Sequence, residues 1–360
     1  MEPVTHFLTG ACLGRAGFNR LTTYATLAMV LAAEAPDIDM LWGFRGPVAG
    51  FEHHRGITHT FLGAPLMALL VTGLVWLWHR WRTRRGAASP NISTGRRAML
   101  RVRWGWIWLL ALIADFSHLL LDWANNYGLR PFFPFNPHWY AGNIFFIFEP
   151  ALFAAFIAAL LIPTILGLAD REIGARRSPF RGRGWAIFAL CIAVVFGCWK
   201  WSEHERALHL LAQQNYQNEI PLKVTVNPYP GSVFQWFGVV ETKDFYQTAY
   251  VNTRTDEFSS QAPADIYYKQ PRTAAIRAAK NSWLGRVYLD WSQFPFVEES
   301  RIFGMVPNGT HYSQIQFEDL RFAYNAAFLR GREDPPLTGI VTIAPNGTVE
   351  GMRMGDRVQN

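Results

Sequence analysis

The sequence predicts a mainly α-helical membrane protein of about four transmembrane helices and an N-terminal short-helix hairpin, followed by a small α+β soluble domain. Long apolar runs are confined to residues 1–201, whereas residues 202–360 have the mixed composition of a soluble domain. Many of the 15 Trp and 27 Phe residues flank the apolar runs, where their rings favour the membrane interface. We therefore divide the chain into a membrane-embedded domain, 1–201, and a second domain, 202–360.

The first two apolar segments, 4–14 and 22–35, are too short to cross a bilayer alone, since a span takes about 20 residues. We interpret them as a hairpin that dips in from the outer face, with its tip at Arg15–Arg20. A pair of short spans is the alternative. Both arrangements leave His6 and Asp37 near the same outer surface.

Four later segments are long enough to span the bilayer, at roughly 61–79, 104–124, 144–169 and 184–201. The loop 80–103 carries eight Arg and no acidic residue, and the loop 170–183 carries five Arg. Short arginine-rich loops remain in the cytoplasm, which places both loops inside. The alternation of spans then places the region before Phe61 and the domain 202–360 outside the cytoplasm.

The formal net charge of +7 is concentrated in these two loops, beside predicted spans. A nucleic-acid-binding protein would need basic residues gathered on a folded surface, so membrane lipid is the expected partner and nucleic acid is not. The three cysteines all fall in apolar segments and none lies in 202–360, which excludes disulfides within that domain. A cleavable signal peptide is not expected, because the N-terminus lacks a basic region before its apolar stretch.

The second predicted span contains Asp115, His118 and Asp122, whose spacing places them on one helical face. Ionisable groups at membrane depth are costly and usually functional. If the helix starts inside near Trp104, Asp122 lies about 27 Å along its axis, close to the outer boundary. A buried salt-bridged triad that fixes helix packing is the structural alternative.

Two further polar clusters share the predicted outer side. Pro36-Asp37-Ile38-Asp39 ends an apolar helix and presents two carboxylates on a short non-helical stretch. The segment His53–Thr60 precedes the first long span and contains His54 and His59. These two imidazoles converge if Gly56 breaks the chain, Thr58 caps the following helix and His59 lies in its first turn.

Imidazole and carboxylate ligands together suit zinc or a similar divalent first-row ion, and mixed His/Asp sets are usual in hydrolytic metal centres. With this many ligands a site for two or more ions is plausible, in which a carboxylate such as Asp37 bridges them. Arg55 can pair with an anionic substrate oxygen or form a loop salt bridge. Glu149, before Pro150, can act as a ligand, a general base or a helix cap.

The second domain shows turn and strand signals rather than a catalytic spacing. Residues 202–220 are predicted to form an amphipathic helical stalk, and a helix is predicted around 273–281. Asn346-Gly347 between two apolar stretches predicts a hairpin, and Asn308-Gly309 predicts another turn. We expect this domain to shape access to the metal site or to bind an envelope partner.

The polar motifs resemble those of the YdjM-like family, which is described as inner-membrane metal-dependent hydrolases. The resemblance covers about residues 1–150 and rests on these elements: Thr5-His6, Pro36-Asp37-Ile38-Asp39, His54-Arg55-Gly56-Ile57-Thr58-His59-Thr60, Ser117-His118 through Asp122, and Tyr127-Gly128-Leu129-Arg130-Pro131-Phe132. Thr60 stands where serine is commoner, and the hydroxyl is kept. The resemblance implies a multi-pass bacterial inner-membrane protein whose metal ligands are His6, Asp37, Asp39, His54, His59, His118 and Asp122. Asp115 and Glu149 are added from the residue-level argument alone.

The leading functional hypothesis is a membrane-bound, metal-dependent hydrolase acting at the outer face on an ester or phosphoester of a lipid, lipid-linked or envelope substrate. A transporter that uses Asp115, His118 and Asp122 as an ion pathway is an alternative. It requires polar residues that continue to the inner face, and Trp104 to Ala114 contains none. The third hypothesis is a non-catalytic envelope protein whose outer face is held together by a fully coordinated metal.

Overall fold

The structure is a computed structural model that describes residues 1–85, 101–172, 181–302, 311–324 and 334–359. The arginine-rich loops 80–103 and 170–183 lie partly outside these ranges, and the predicted turn at Asn308-Gly309 lies wholly outside them. Within the described residues the chain divides into two compact units. The first comprises Met1–Ile38 and Arg55–Lys200, and the second comprises Asp39–His54 and Trp201–Asn360.

The described helices are α1 Pro3–Ala16, α2 Ala25–Glu34, α3 Pro47–His53, α4 Gly63–Arg84, α5 Trp104–Trp123, α6 Pro150–Glu172, α7 Arg183–Ala212, α8 Ala274–Asn281 and α9 Trp283–Trp291. Short 3-10 segments lie at Phe18–Arg20, Ala35–Arg45, Ile57–His59 and Leu320–Phe322. Three of the helices, α5, α6 and α7, are long and apolar enough to cross a membrane among the residues described. A fourth candidate span arises if α4 is joined to the helical segment Pro47–His59 before it.

The four predicted spans thus correspond to α4–α7, with three to four qualifying as membrane spans. The span predicted at 144–169 starts later, because α6 begins at Pro150 and the preceding Phe145 forms a β-bridge with Asn125. The exposed surfaces of α4, α6 and α7 are rich in Leu, Val, Ile and aromatic side chains, as lipid-facing surfaces are. The first unit is therefore a helical membrane domain.

The helices α1 and α2 pack closely through glycines. A Cβ atom at Gly10 would lie 2.7 Å from the carbonyl oxygen of Met29, and one at Gly14 would lie 2.9 Å from Thr26. Small residues at these positions let the two backbones approach, which is the usual basis of helix association in membranes. The cores on either side of this pair are filled by alanines and larger apolar residues from α2, α4 and α5, and from α1, α6 and α7.

The chain is not α-helical at Asp37 and at His59, which lie between α2 and α4. Asp37 lies in the 3-10 segment Ala35–Arg45, and His59 ends the 3-10 turn Ile57–His59. The prediction that Thr58 caps a helix containing His59 is wrong. Instead the hydroxyl of Thr60 accepts the amide of Gly63 at 2.8 Å, at the start of α4. A Cβ at Gly63 would overlap the carbonyl of Ile57, which explains a glycine there.

The second unit contains two antiparallel sheets. The first has the order β1-β2-β3-β4, with β5 also paired to β3, and its strands are Lys223–Pro228, Gln235–Glu241, Phe245–Asn252, Glu257–Ser259 and Ile266–Tyr268. The second has the order β10-β9-β8-β7-β6, and its strands are Pro295–Ile302 (β6), Tyr312–Asp319, Gly339–Ile343, Val349–Met354 and Arg357–Val358 (β10). The predicted hairpin at Asn346-Gly347 is confirmed between β8 and β9, with Gly347 at φ +84°.

The core of the second unit includes the end of α7 and the segment Asp39–His54. Leu211 of α7 packs with the buried Trp236 of the first sheet. The ring of Phe51 lies 5.0 Å from that of Trp291, so α3 packs against α9. The helix predicted at 273–281 is confirmed as α8, whereas the stalk predicted at 202–220 is helical only as far as Ala212. The chain therefore ends in an α+β unit.

Candidate metal centre

Four side chains of the first unit bring one donor atom each to a common point: Asp37, His59, His118 and Asp122. The Nε2 atoms of His59 and His118 are 3.1 Å apart. Asp122 Oδ2 lies 3.4 Å from His59 Nε2 and 3.3 Å from His118 Nε2. Asp37 Oδ1 lies 3.4 Å from His59 Nε2 and 3.7 Å from His118 Nε2. We call these four residues the donor cluster.

The spacing of the donor cluster fits a single tetrahedral ion. Zinc bonds imidazole nitrogen and carboxylate oxygen at about 2.0–2.2 Å, so two tetrahedral ligands on it are separated by about 3.3–3.6 Å. The five donor distances, from 3.1 to 3.7 Å, bracket this range. Two imidazoles and two carboxylates are also a ligand set that zinc and its neighbours accept. The residues present therefore fit a divalent metal.

The α5 helix supplies two of the donors through its periodicity. His118 and Asp122 are four residues apart, which places them on one face of the helix, and both side chains are almost fully buried. His118 Nδ1 lies 2.7 Å from the carbonyl oxygen of Ala33 near the end of α2. A hydrogen bond to this carbonyl leaves Nε2 free to bind a metal, as is usual for histidine ligands. The sequence holds no signal for this backbone partner.

Arg55 holds the other side of Asp122. Its Nη2 donates to Asp122 Oδ1 at 2.8 Å, and its Nη1 donates to the carbonyl oxygen of Gly128 at 2.8 Å. The guanidinium also lies 4.8 Å from the centre of the Tyr127 ring, a cation–π contact. The backbone of Arg55 has a φ of 53°, a left-handed conformation that residues other than glycine seldom adopt. These contacts orient the Asp122 carboxylate, and a role for Arg55 in binding substrate remains a prediction.

His6 borders the donor cluster without being one of its four members. Its ring stacks on that of His118 at 3.8 Å, and its Nε2 lies 3.4 Å from Asp122 Oδ1. Burial, with the charge of His118 as a further cause, lowers the pKa of His6 to about 3, so this ring is neutral. Its assignment as a ligand remains a prediction.

Asp37 is the one member of the donor cluster that reaches solvent, with 14% of its side chain exposed. Burial alone would raise its pKa. The hydrogen bond with His59 and the charges of His118 and His59 outweigh this effect, so the pKa of Asp37 is lowered from its ordinary value. Asp37 is therefore a carboxylate at neutral pH and an available ligand.

Asp115 is fully buried one turn from His118, but the donor cluster does not include it. Within the described part of the chain neither of its oxygens has a hydrogen-bond partner. Asp39 and His54 belong to the second unit, where Asp39 Oδ1 and His54 Nδ1 lie 3.3 Å apart. The proposal that these three residues bind metal stays a prediction.

Glu149 makes contacts that differ from those of the donor cluster. Its Oε1 accepts the amide of Phe146 at 2.8 Å and the ammonium of Lys200 at 2.5 Å. Both charged side chains are buried, with 3% of Glu149 and none of Lys200 exposed. Sequence reasoning overlooked Lys200, although a lysine between Trp199 and Trp201 at the end of an apolar run is a visible signal. A catalytic or metal-binding role for Glu149 remains a prediction.

Comparison with known proteins agrees with this description. The model of the YdjM inner membrane protein family matches residues 1–207, more than half of the chain. Uncharacterized protein YfhP of Bacillus subtilis (strain 168) is 24% identical over 170 residues, which cover 45% of this chain and 46% of YfhP. The chain thus spans about half the length of that relative. No solved structure matches the chain.

Proposed function

We propose that this chain, which belongs to the YdjM inner membrane protein family, is a membrane-bound, metal-dependent hydrolase. Its substrate is an ester or phosphoester of a lipid, lipid-linked or envelope molecule, reached at the outer face of the membrane. The observation that carries the proposal is the donor cluster, a set of two imidazoles and two carboxylates in a helical membrane domain. Zinc is the metal that this set and its spacing favour.

A divalent ion in the donor cluster would supply Lewis acidity, which lowers the pKa of water and polarises a carbonyl or phosphoryl oxygen. His59 and His118 present their Nε2 atoms to it, and Asp122 presents Oδ2. The guanidinium of Arg55, on the far oxygen of Asp122, fixes the orientation of this carboxylate. A fixed orientation limits the rearrangement needed when charge develops on the substrate.

The surroundings of the donor cluster suit an amphiphilic substrate. Ile57 and Phe61, on either side of His59, are exposed, and so are Phe116 and Leu120, on either side of His118. Exposed apolar side chains on a membrane span lie against lipid. The elements that carry the two imidazoles therefore also carry apolar surface for the acyl chains of a lipid ester, from which a fully water-soluble substrate would gain nothing.

Metal analysis of the detergent-purified protein tests the proposal. We expect about one zinc per chain in the wild type and loss of that metal in His59→Ala and Asp122→Asn, because each variant removes a donor. His138→Ala, which replaces an exposed histidine of the same unit, is the matched control and should retain the metal. Full occupancy in both donor variants would exclude the site.

Activity is tested separately with a panel of phosphoester and carboxylic ester lipids in mixed micelles. Hydrolysis should stop with a chelator, return when zinc is added, and be absent from Asp122→Asn. If a zinc-loaded protein hydrolyses none of these esters, the metal centre stands and the hydrolase proposal fails.

A specific observation favours a second candidate, a metal centre that only stabilises the membrane domain. Structural zinc sites have four protein ligands, whereas catalytic sites keep one position open for water or substrate. The donor cluster provides four protein donors. The second candidate predicts that chelation lowers the unfolding temperature and that no substrate, inhibitor or small anion reaches the metal. The two candidates differ in whether one of the four donors can leave.

A further inference from the structure

We propose that Asp37 is an exchangeable ligand, and that its departure from the donor cluster opens the metal centre to water and substrate. The inference rests on the proposed metal centre and decides between its catalytic and structural forms. It comes from an asymmetry among the four donors, three of which are fixed by the surrounding protein while the fourth is not.

The three fixed donors each have a contact outside the cluster. The ring of His118 is fixed through Nδ1 by the carbonyl oxygen of Ala33 at 2.7 Å. Asp122 is held by the guanidinium of Arg55 at 2.8 Å. His59 Nδ1 lies 3.1 Å from the hydroxyl oxygen of Thr58. Such partners fix the orientation of a metal ligand and raise its affinity.

Within the described part of the first unit, Asp37 has no hydrogen bond of this kind outside the cluster. Its side-chain contacts are the Nε2 atoms of His59 and His118, at 3.4 and 3.7 Å, which are themselves cluster donors. The second of these is the longest of the measured donor distances. A carboxylate that depends on the metal and two imidazoles for its position is the donor most easily displaced.

Burial separates Asp37 from the other donors in the same direction. The side chains of His59, His118 and Asp122 are at most 1% exposed, whereas that of Asp37 is 14% exposed. Because part of the Asp37 side chain is already at the surface, its carboxylate can leave the cluster without remaining in the packed interior. Removing Asp122 from the cluster would leave a charge in a dry interior, at a cost of several kcal/mol.

Without Asp37 the cluster has the composition of a catalytic zinc site. Two histidines and one carboxylate remain as buried ligands, and the fourth position becomes available to a water or substrate oxygen. The displaced Asp37 remains beside that position, attached by the chain to the end of α2. In the resting state Asp37 would complete the four protein ligands, and substrate would displace it to open a coordination position. A centre with four protein donors is then compatible with hydrolysis.

The test compares metal binding by the full-length protein and by Asp37→Ala, Asp37→Asn and His118→Ala in detergent. Cobalt(II) replaces zinc as the probe, because its visible absorption reports coordination number and ligand exchange. We expect both Asp37 variants to keep about one ion per chain with affinity reduced by no more than about tenfold, and His118→Ala to lose far more. Azide, a small anionic ligand, should change the cobalt spectrum of Asp37→Ala at lower concentration than that of the wild type.

Each outcome has one meaning. Loss of metal from both Asp37 variants to the same extent as from His118→Ala overturns the inference and leaves the metal centre as a closed structural site. Retention of metal in Asp37→Ala without any response to azide also overturns it, because no position has been opened. A wild-type protein that binds no cobalt or zinc overturns the proposed metal centre itself. Asparagine is nearly identical in shape to aspartate, so Asp37→Asn shows whether metal loss in Asp37→Ala comes from a folding defect.

Discussion

The pair formed by Lys200 and Glu149 allows a quantitative prediction about stability. Both side chains are buried in the membrane unit, and the ammonium lies 2.5 Å from Glu149 Oε1. The ammonium also lies 5.9 Å and 5.8 Å from the rings of Phe145 and Phe196. Replacing Lys200 by methionine keeps most of the apolar stem and removes the charge. It leaves the carboxylate of Glu149 buried without its cation.

Breaking a buried ion pair from one side costs about 3–5 kcal/mol, because the remaining charge is uncompensated. For a folding unit of this size, that loss corresponds to a decrease in unfolding temperature of roughly 6–20 °C. The variant Glu149→Gln should show a similar decrease, since it leaves Lys200 unpaired. The amide oxygen of the glutamine can still accept a hydrogen bond from the backbone amide of Phe146. The loss of stability is therefore assigned to the charge rather than to this hydrogen bond.

The double variant Lys200→Met/Glu149→Gln is the decisive measurement. Neither charge remains, so the double variant should lose less stability than either single variant, which requires a coupling free energy of more than about 3 kcal/mol across the cycle. Thermal unfolding in one detergent, followed by tryptophan fluorescence, provides all four values. Additive losses, or single variants within about 1 kcal/mol of the wild type, would refute the reasoning, since they fit an exposed pair.

Three further predictions concern packing and the surroundings of the donor cluster. Gly10→Ala should lower stability by about 1–3 kcal/mol because its Cβ would lie 2.7 Å from the Met29 carbonyl, whereas Gly73→Ala, with nothing within 4 Å, should be neutral or stabilising in the same thermal assay. His6→Ala should retain the metal, because His6 is outside the donor cluster; metal analysis showing an empty site would make His6 a ligand after all. Arg55→Lys should weaken metal affinity about 10–100-fold in competition titrations with a chelator, because an ammonium cannot reproduce the planar contacts of the guanidinium, and unchanged affinity would remove Arg55 from the site.

The sequence predicts the core of the candidate site well for a physical reason. An ionisable residue inside an apolar span is costly, so Asp115, His118 and Asp122 stand out against their neighbours. Helical periodicity then places them on one face, and the structure shows all three buried. The alternation of apolar runs likewise predicts the helical membrane unit and the α+β unit after it.

The extent of the donor cluster could not be predicted in the same way. Asp115 lies on the same face of α5 as His118 and Asp122, but it is one turn away from His118 and is not part of the donor cluster. Asp39 is two residues from Asp37, yet it belongs to the second unit, where its Oδ1 lies 3.3 Å from Nδ1 of His54. For Asp37 and Asp39 the distinction depends on where the backbone of the 3-10 segment directs each side chain, and composition carries no signal for that direction.

Asp122 and Glu149 show why the same sequence signal leads to different interpretations. Each is a buried carboxylate at the edge of a predicted span with cationic partners on one oxygen: Arg55 and the N-terminal ammonium of Met1 contact Asp122 Oδ1, and Lys200 contacts Glu149 Oε1. The two residues differ in the second carboxylate oxygen, the one that no cation contacts. Asp122 Oδ2 faces two imidazole nitrogens at 3.3–3.4 Å, whereas both hydrogen bonds of Glu149, to Lys200 and to a backbone amide, go to the same oxygen. A buried carboxylate becomes a candidate metal ligand when a second oxygen is directed at other donors, and this depends on three-dimensional geometry rather than on residue type.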